Sequence, residues 1–378
     1  MLLTINDNVR ALDAIKAKVN ELSEFGDELR PSTVSKLMKV AVDNGVNLDD
    51  SEEIRQLIAV LLNNFTKRSD AYSQNTVKQL SYNWSNFTAY CTQHRVNSLP
   101  ASAKTVEDYI RLVGTKYHRN TISSHLWAIG KMHVITGMSD PTKDSYVSLT
   151  RRSIFKNKVQ AGEKINQANG FTADHLSEFI ELYNKCTTLK QFRDKAMVTV
   201  AYECLLRSSE LVNIKFSDLN IHKGESGFVN IPFSKTNKTG ELDLRYLSEE
   251  TVSLLFDYFD HANICFDDFS KDTDKCNRYI FVPCKKNGRL RDKPNDFGVN
   301  KLTRRTVNNL FLTVSQLLNV KFSAHSPRVG AVQDMFAENI SLPLIQQAGG
   351  WGSANMPARY GSQMDIKHSA MAQMRNKK

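Results

Sequence analysis

The chain has 378 residues, enough for two domains with separate cores, and carries 50 Lys and Arg against 40 Asp and Glu. No apolar run approaches a membrane span, and the N-terminus MLLTINDNVRALDAIK lacks the basic region and apolar core of an export signal, so the expected location is the cytosol, or the nucleoid of a prokaryote. The six cysteines, at 91, 186, 204, 265, 276 and 284, show no zinc-type spacing, and reduced thiols are expected.

The formal net charge of +10 is unevenly spread. Residues 1–58 hold 7 basic and 11 acidic side chains, so the remaining 320 carry +14; residues 301–378 alone hold 10 basic and 3 acidic ones. A polyanion is the natural partner, because Lys and Arg that neutralise phosphates release counterions and supply sequence-independent affinity.

Residues 1–50 read as an acidic helical extension, with amphipathic stretches over about 4–25 and 32–44 broken at Pro31-Ser32-Thr33. Its acidity suits packing or a protein partner better than DNA. From 51 to 158 the spacing predicts a bundle of four or five helices. SEEIRQLIAVLLNNFTKR, TVKQLSYNWSNFTAYCTQH, TVEDYIRLVGTKY and NTISSHLWAIGKMHVITG each repeat apolar residues at three-to-four spacing. Polar, aperiodic sequence from Lys156 to Gly170 predicts an interdomain linker, placed at 159–170. A second domain over 171–378 opens with a helix capped by Thr172 and Asp174, followed by the apolar helix QFRDKAMVTVAYECLL ending near Arg207-Ser208-Ser209-Glu210. Two alternating runs around Thr-Asn-Lys-Thr-Gly in GFVNIPFSKTNKTGELDLRYLS predict a hairpin, the only clear sheet. A basic turn follows at Lys285-Lys286-Asn287-Gly288-Arg289, then a helix from 300 to 320 with Arg304 and Arg305 near its start.

The most informative stretch is HSPRVGAVQDMFAENISLPLIQQAGGWGSANMPARY, residues 325–360. Ser326-Pro327 opens a helix, placing Arg328 in its first turn and His325 just ahead. A helix start with an imidazole and a guanidinium favours an anion such as phosphate. A second short helix begins after Ser341 and ends at Gly349-Gly350, and Trp351 emerges from that turn. Tyr360, nine residues on, has small or polar neighbours that need not belong to a core, and is a candidate nucleophile. No metal-binding cluster and no GxxxxGK[ST] loop is found in the sequence, which leaves metal-free, ATP-free phosphoryl transfer as the chemistry expected.

His-x-x-Arg, Gly-Gly-Trp and a Tyr nine residues after the Trp together resemble the C-terminal signature of the tyrosine recombinases, the Cre-like ones most. The resemblance covers roughly 51–378. It implies a mainly α protein with a small antiparallel sheet, folded as a two-domain C-shaped DNA clamp. It implies a site-specific recombinase that cuts and rejoins double-stranded DNA at inverted repeats through a 3′-phosphotyrosine, with a homotetramer spanning two sites and no cofactor. By the family pattern Tyr360 is the nucleophile, His325 exchanges its proton, Arg207 and Arg328 hold the phosphate oxygens, Glu210 supports Arg207, and Trp351 donates its indole N–H. Lys235, in Ser-Lys-Thr, matches the lysine that protonates the departing 5′-oxygen, with Lys238 as its rival. The Arg residues and His325 are expected to lower the Tyr360 pKa, against the effect of burial. Pro327 stands where the family usually has a small residue. Thr76, Lys78, Arg119, Asn120, Thr121 and Ser124 fall on helix starts that would face the major groove; Lys285, Lys286, Arg304 and Arg305 are further candidate DNA contacts. The tail HSAMAQMRNKK offers a small apolar face for docking on a neighbour. Rival readings are an integrase needing accessory factors, a type IB topoisomerase, a protelomerase, and a DNA-binding protein without the chemistry.

Overall fold

The computed structural model describes residues 30–32, 34–36, 52–185, 187–232, 241–285, 287–291, 300–361, 371 and 374–375. Most of the acidic extension and of the C-terminal tail therefore lie outside the described residues. The chain divides into two compact units, 1–165 and 166–378.

The first unit contains α1 (Glu52–Lys67), α2 (Gln74–His94), α3 (Ala103–Lys116), α4 (Arg119–Ile135) and α5 (Ser145–Gln160). Side chains cap four of these starts: Ser73 accepts from the Thr76 amide, Ser102 from Thr105, His118 from Asn120, and Asp144 from Tyr146 and Val147. Phe87 and Cys91 of α2, Val106 and Ile110 of α3, and Ile122, Leu126 and Ile129 of α4 share one core with Val147 of α5. Their three-to-four spacing puts each set on one helix face. The Asn83 amide donates to the Ser124 carbonyl at 3.1 Å and ties α2 to α4.

The linker expectation needs correction at its first end. Helix α5 runs to Gln160, so the polar run begins inside a helix. Just beyond it the Glu163 carboxylate lies 3.2 Å from the Arg119 amide, 3.4 Å from His118 Nε2 and 3.3 Å from Lys158 Nζ. Long-range polar contacts of this kind leave no mark on local periodicity.

The second unit contains α6 (Ala173–Leu182), α7 (Leu189–Glu203), α8 (Ser208–Leu211), β1 (Leu219–Asn220), β2 (Gly227–Asn230), β3 (Leu244–Leu247), α9 (Glu249–His261), α10 (Phe266–Lys271), α11 (Arg304–Leu317), α12 (Ser326–Ala337), α13 (Leu342–Ala348) and α14 (Asn355–Gly361). The expected hairpin is β2–β3, with Val229 opposite Arg245. The two-residue β1 pairs with β2 to give a three-stranded antiparallel sheet, too short a strand to show alternation in sequence. Apolar residues of α7, including Met197, Val198 and Val200, join Val252, Leu255 and Phe259 of α9 and Val307, Phe311 and Val314 of α11 in one core.

Helix α12 is fixed to this core at both ends. The Phe171 amide donates to the Ser326 carbonyl at 2.9 Å, and Asp334 accepts from the Tyr202 hydroxyl at 2.6 Å and the Ala173 amide at 2.8 Å. Gly330 permits this approach, since a Cβ there would overlap the backbone of Phe171. Alanine would raise helix propensity at position 330 by about 1 kcal/mol, but overpacking against fixed backbone costs more. Gly330→Ala is therefore expected to lower the unfolding free energy by about 2 kcal/mol in urea titration; an unchanged or raised value would contradict the packing described.

Candidate active site

Tyr360 lies on α14 with only 4% of its surface exposed. This overturns the expectation of a residue outside the core. α14 packs against α12, and Tyr360 joins Leu205, Val329, Val332, Ile345 and Trp351 in a small apolar cluster. Its hydroxyl sits 2.7 Å from His325 Nε2, across the start of α12. Trp351 is also buried rather than projecting from its turn, with its ring centroid 6.1 Å from that of Tyr360.

Burial lowers the His325 pKa to about 4, helped by the positive charges of Arg328 and Arg207 and opposed by Glu210. The imidazole is therefore neutral near pH 7, and its Nε2 shares one hydrogen bond with the phenol, in which the tautomer bearing its hydrogen on Nδ1 leaves Nε2 free to accept. Burial likewise raises the Tyr360 pKa, outweighing the lowering influence of Arg328, Arg207 and Arg359. The arginines and burial thus oppose each other as expected, and in the unliganded chain desolvation of the phenolate exceeds the attraction of the arginines.

Arg207 caps the one-turn helix α8. Glu210 accepts from its amide at 2.8 Å and from its Nη1 at 2.6 Å, so one nearly buried carboxylate holds both ends of the residue. Arg328 is 1% exposed and has a different environment. Its Nη1 donates to the Leu205 carbonyl, its Nη2 to the Gly349 carbonyl at 2.8 Å, and its guanidinium carbon lies 3.9 Å from the centroid of the Trp351 ring. Among the described residues no carboxylate is within ion-pair distance of Arg328. Burial, then the charge of Arg207, pulls its pKa down to about 9 against the opposing Glu210. A buried cation held by carbonyls and a ring keeps its charge uncompensated, and an anion is the group that would relieve it.

Six of the seven expected catalytic residues, Arg207, Glu210, His325, Arg328, Trp351 and Tyr360, are thus gathered through direct contacts and one shared electrostatic environment. The seventh, Lys235, lies outside the described residues, between β2 and β3, as do its rival Lys238 and the DNA-contact candidate Lys286. Two further residues were not singled out from sequence: Asp243 and Arg245, which pair beside the Trp351 turn. Their only sequence signal is period-two alternation, which places Arg245 on the same inward face as Leu247.

Six of the expected DNA contacts fall in the first two turns of α2 and α4. Lys78 and Asn120 are exposed, while Thr76 shares a 2.8 Å hydroxyl contact with the cap residue Ser73. Thr121 is half-buried in the first turn of α4. The Ser124 hydroxyl donates back to the Asn120 carbonyl at 3.1 Å, and Arg119 Nε stands 3.6 Å from Glu163. Lys285 is exposed in a tight turn closed by its own amide on the Arg289 carbonyl at 2.7 Å, and Arg304 and Arg305 are exposed on the first turn of α11.

The model described as the Phage integrase family matches residues 171–365. The curated protein Recombinase cre of Escherichia phage P1 is 27% identical over 335 residues, covering 86% of this chain and 93% of that protein. The integrase/recombinase xerD homolog of Selenomonas ruminantium is 27% identical over 316 residues, covering 81% and 86%. Among solved structures, XerH site-specific recombinase in a post-cleavage complex with palindromic difH substrate aligns with a TM-score of 0.52 at 15% identity, over 96% of this chain and 89% of that one. The Tn1549 transposon integrase in complex with transposon right end DNA aligns at 0.53 and 13% identity, over 85% and 98%. The mainly helical fold with a small antiparallel sheet and the expected family are both borne out.

The His325 environment has a measurable consequence. In an NMR titration of the unliganded chain its ring protons should titrate near pH 4, well below a free imidazole at about 6.5. Between those values the unfolded chain binds the proton and the folded one does not, so unfolding free energy should rise with pH across the window, and His325→Gln should flatten that rise. A midpoint close to that of a free imidazole would show that burial does not hold the ring neutral.

Proposed function

This chain belongs to the phage integrase family, the tyrosine recombinases, and from that premise we propose that it is a site-specific DNA strand transferase working through a covalent 3′-phosphotyrosine. The observation that carries the reading is the 2.7 Å contact from the Tyr360 hydroxyl to a neutral His325, beside the uncompensated charge of Arg328.

A scissile phosphodiester seated between Arg207 and Arg328 supplies the anion that this site lacks. Tyr360 Oη attacks phosphorus while its proton passes to His325 Nε2, which removes the need for a free phenolate at neutral pH. Charge developing on the non-bridging oxygens is met by the two guanidiniums, placed before the reaction by Glu210, the Leu205 and Gly349 carbonyls and the Trp351 ring. The indole N–H of Trp351 is a further donor to the phosphate. As the bond from phosphorus to the 5′-oxygen breaks, Lys235 protonates that oxygen, leaving a free 5′-hydroxyl and a phosphodiester between Tyr360 and the 3′ end. The covalent product retains the energy of the broken linkage. Attack by a 5′-hydroxyl from a second strand, whose proton passes to Lys235, then rejoins DNA, and the proton on His325 returns to Tyr360. This sequence consumes neither ATP nor any resident metal.

Double-stranded DNA is the substrate this chemistry requires, and the +14 carried by residues 59–378 supports it. The exposed Lys78 and Asn120 at two helix starts are assigned to the major groove, with Thr76, Arg119, Thr121 and Ser124 beside them. Residues 51–158 serve as the core-binding domain and 171–378 as the catalytic domain. Identical protomers impose two-fold order, so inverted half-sites with one protomer on each and a tetramer across two sites follow. The acidic residues 1–50 take part in protein contacts, not in DNA binding. The named relatives come from a phage and a bacterium, which supports action in the cytoplasm of a prokaryotic cell.

Covalent trapping tests the assignment. Incubated with a library of nicked duplexes that lose the 5′-hydroxyl fragment on cleavage, the chain should form an adduct that maps by digestion to a 3′-phosphate on Tyr360, while Tyr360→Phe should form none. An adduct that persists in Tyr360→Phe, or salt-sensitive DNA binding with no adduct from the unsubstituted chain, would overturn it.

A further inference from the structure

We propose that Arg245, held by Asp243, is a positioning residue that sets the turn carrying Trp351 and through it the Arg328 side of the site. The proposal rests on the strand-transfer reading for its kinetic consequence, and on geometry alone for its structural one.

Helix α13 ends at Ala348, and its last carbonyls have no partners within the helix. Two consecutive ones receive guanidiniums from different elements. The Ala348 carbonyl accepts from Arg245 Nη1 of β3, and the Gly349 carbonyl accepts from Arg328 Nη2 of α12 at 2.8 Å. Arg245 is 5% exposed, an unusual burial for a strand arginine, and its charge is answered by Asp243, whose two carboxylate oxygens each lie 2.8 Å from a guanidinium nitrogen. The Nη2 contact is a hydrogen bond, while Nε is not aimed at its oxygen and pairs by charge alone; with Nη1 on the Ala348 carbonyl, the two bonds hold the plane of the guanidinium in a way a lysine cannot copy.

The turn is built around this group. Gly350 has φ of +58°, and a Cβ there would overlap Arg245 Nη2. A Cβ on Gly349 would overlap the Trp351 ring. The turn therefore packs Arg245 against one glycine and Trp351 against the other, and Trp351 in turn covers Arg328. Releasing the Ala348 carbonyl frees the turn to shift, and with it both the ring above Arg328 and the carbonyl that holds it. Arg245 also lies ten residues beyond Lys235 in the chain, at the β3 end of the connection from β2. The same strand thus links the segment bearing the general-acid lysine to the turn bearing Trp351.

The test uses the full chain with Trp84→Phe and Trp127→Phe, which leaves Trp351 as its single tryptophan. Arg245→Met in that background should red-shift the Trp351 emission and raise its quenching by acrylamide, with far-UV circular dichroism unchanged. On nicked duplex at saturating concentration, the rate of adduct formation should fall by at least about tenfold, while the dissociation constant for DNA stays within about twofold, since misplacement near reacting groups costs rate, not affinity. Arg245→Lys, which can reach the carbonyl but cannot hold it and Asp243 in one plane, should recover only part of the rate, and Asp243→Asn should resemble it. Unchanged Trp351 emission with an unchanged rate would overturn the proposal. So would a loss confined to DNA affinity, which would make Arg245 a DNA contact. Loss of the circular dichroism signal in both Arg245 variants and in Asp243→Asn would also overturn it, by making the pair a requirement for folding. If the unsubstituted chain formed no adduct, the strand-transfer reading would fail, while the emission measurement would still decide whether Arg245 positions the turn.

Discussion

The second unit is organised around one expensive group, the buried guanidinium of Arg328. Desolvation alone would favour its neutral form, and its pKa is drawn down to about 9, yet it remains charged at neutral pH. Carbonyl oxygens of Leu205 and Gly349 and the face of Trp351 stabilise it without cancelling its charge. Those three contacts dictate where α7 must end, where α13 must turn and which way the tryptophan faces. The constraint on folding and the capacity to receive a phosphate are therefore the same feature.

Around this cation the charges are arranged unequally. Arg207 has Glu210 and Arg245 has Asp243, each at close range, so their charges are largely balanced. His325 and Tyr360 are kept neutral by burial and satisfy each other through a single hydrogen bond. Among the described residues the charge of Arg328 has no carboxylate at ion-pair range, and it lies where the phenol and imidazole meet. In this state the Tyr360 phenol is protonated and covered. Negative charge brought beside His325 favours the imidazolium form, and so the movement of a proton from the phenol that it touches.

The first unit illustrates a different economy. Its helix starts are built from polar residues, and some of these serve the fold directly. Thr76 closes a hydroxyl pair with Ser73, and Arg119 lies against Glu163 beside His118 and Lys158. Lys78 and Asn120 extend to solvent instead. Residue type at a helix start does not separate the two uses, because capping and groove contact both call for small polar or basic side chains.

Local sequence was sufficient for a good part of this protein. The Ser326-Pro327 start, the Gly349-Gly350 stop, the β2–β3 hairpin and four helices of the first unit were legible because caps, turn residues and apolar spacing act over a few positions. So was one cluster of side chains that the fold brings together, since His325, Arg328, Trp351 and Tyr360 lie in one stretch of 36 residues. Tertiary structure decided what the stretch could not. The Leu205 carbonyl that meets Arg328 lies 123 positions away, and Arg245 reaches Ala348 across 103. Burial of Tyr360, the neutrality of His325 and the inward turn of Arg245 all depend on such partners. Desolvation is set by everything packed around a group, and chains assemble that surrounding from segments far apart, so the direction of a pKa shift or the role of a lone strand arginine becomes visible only after folding.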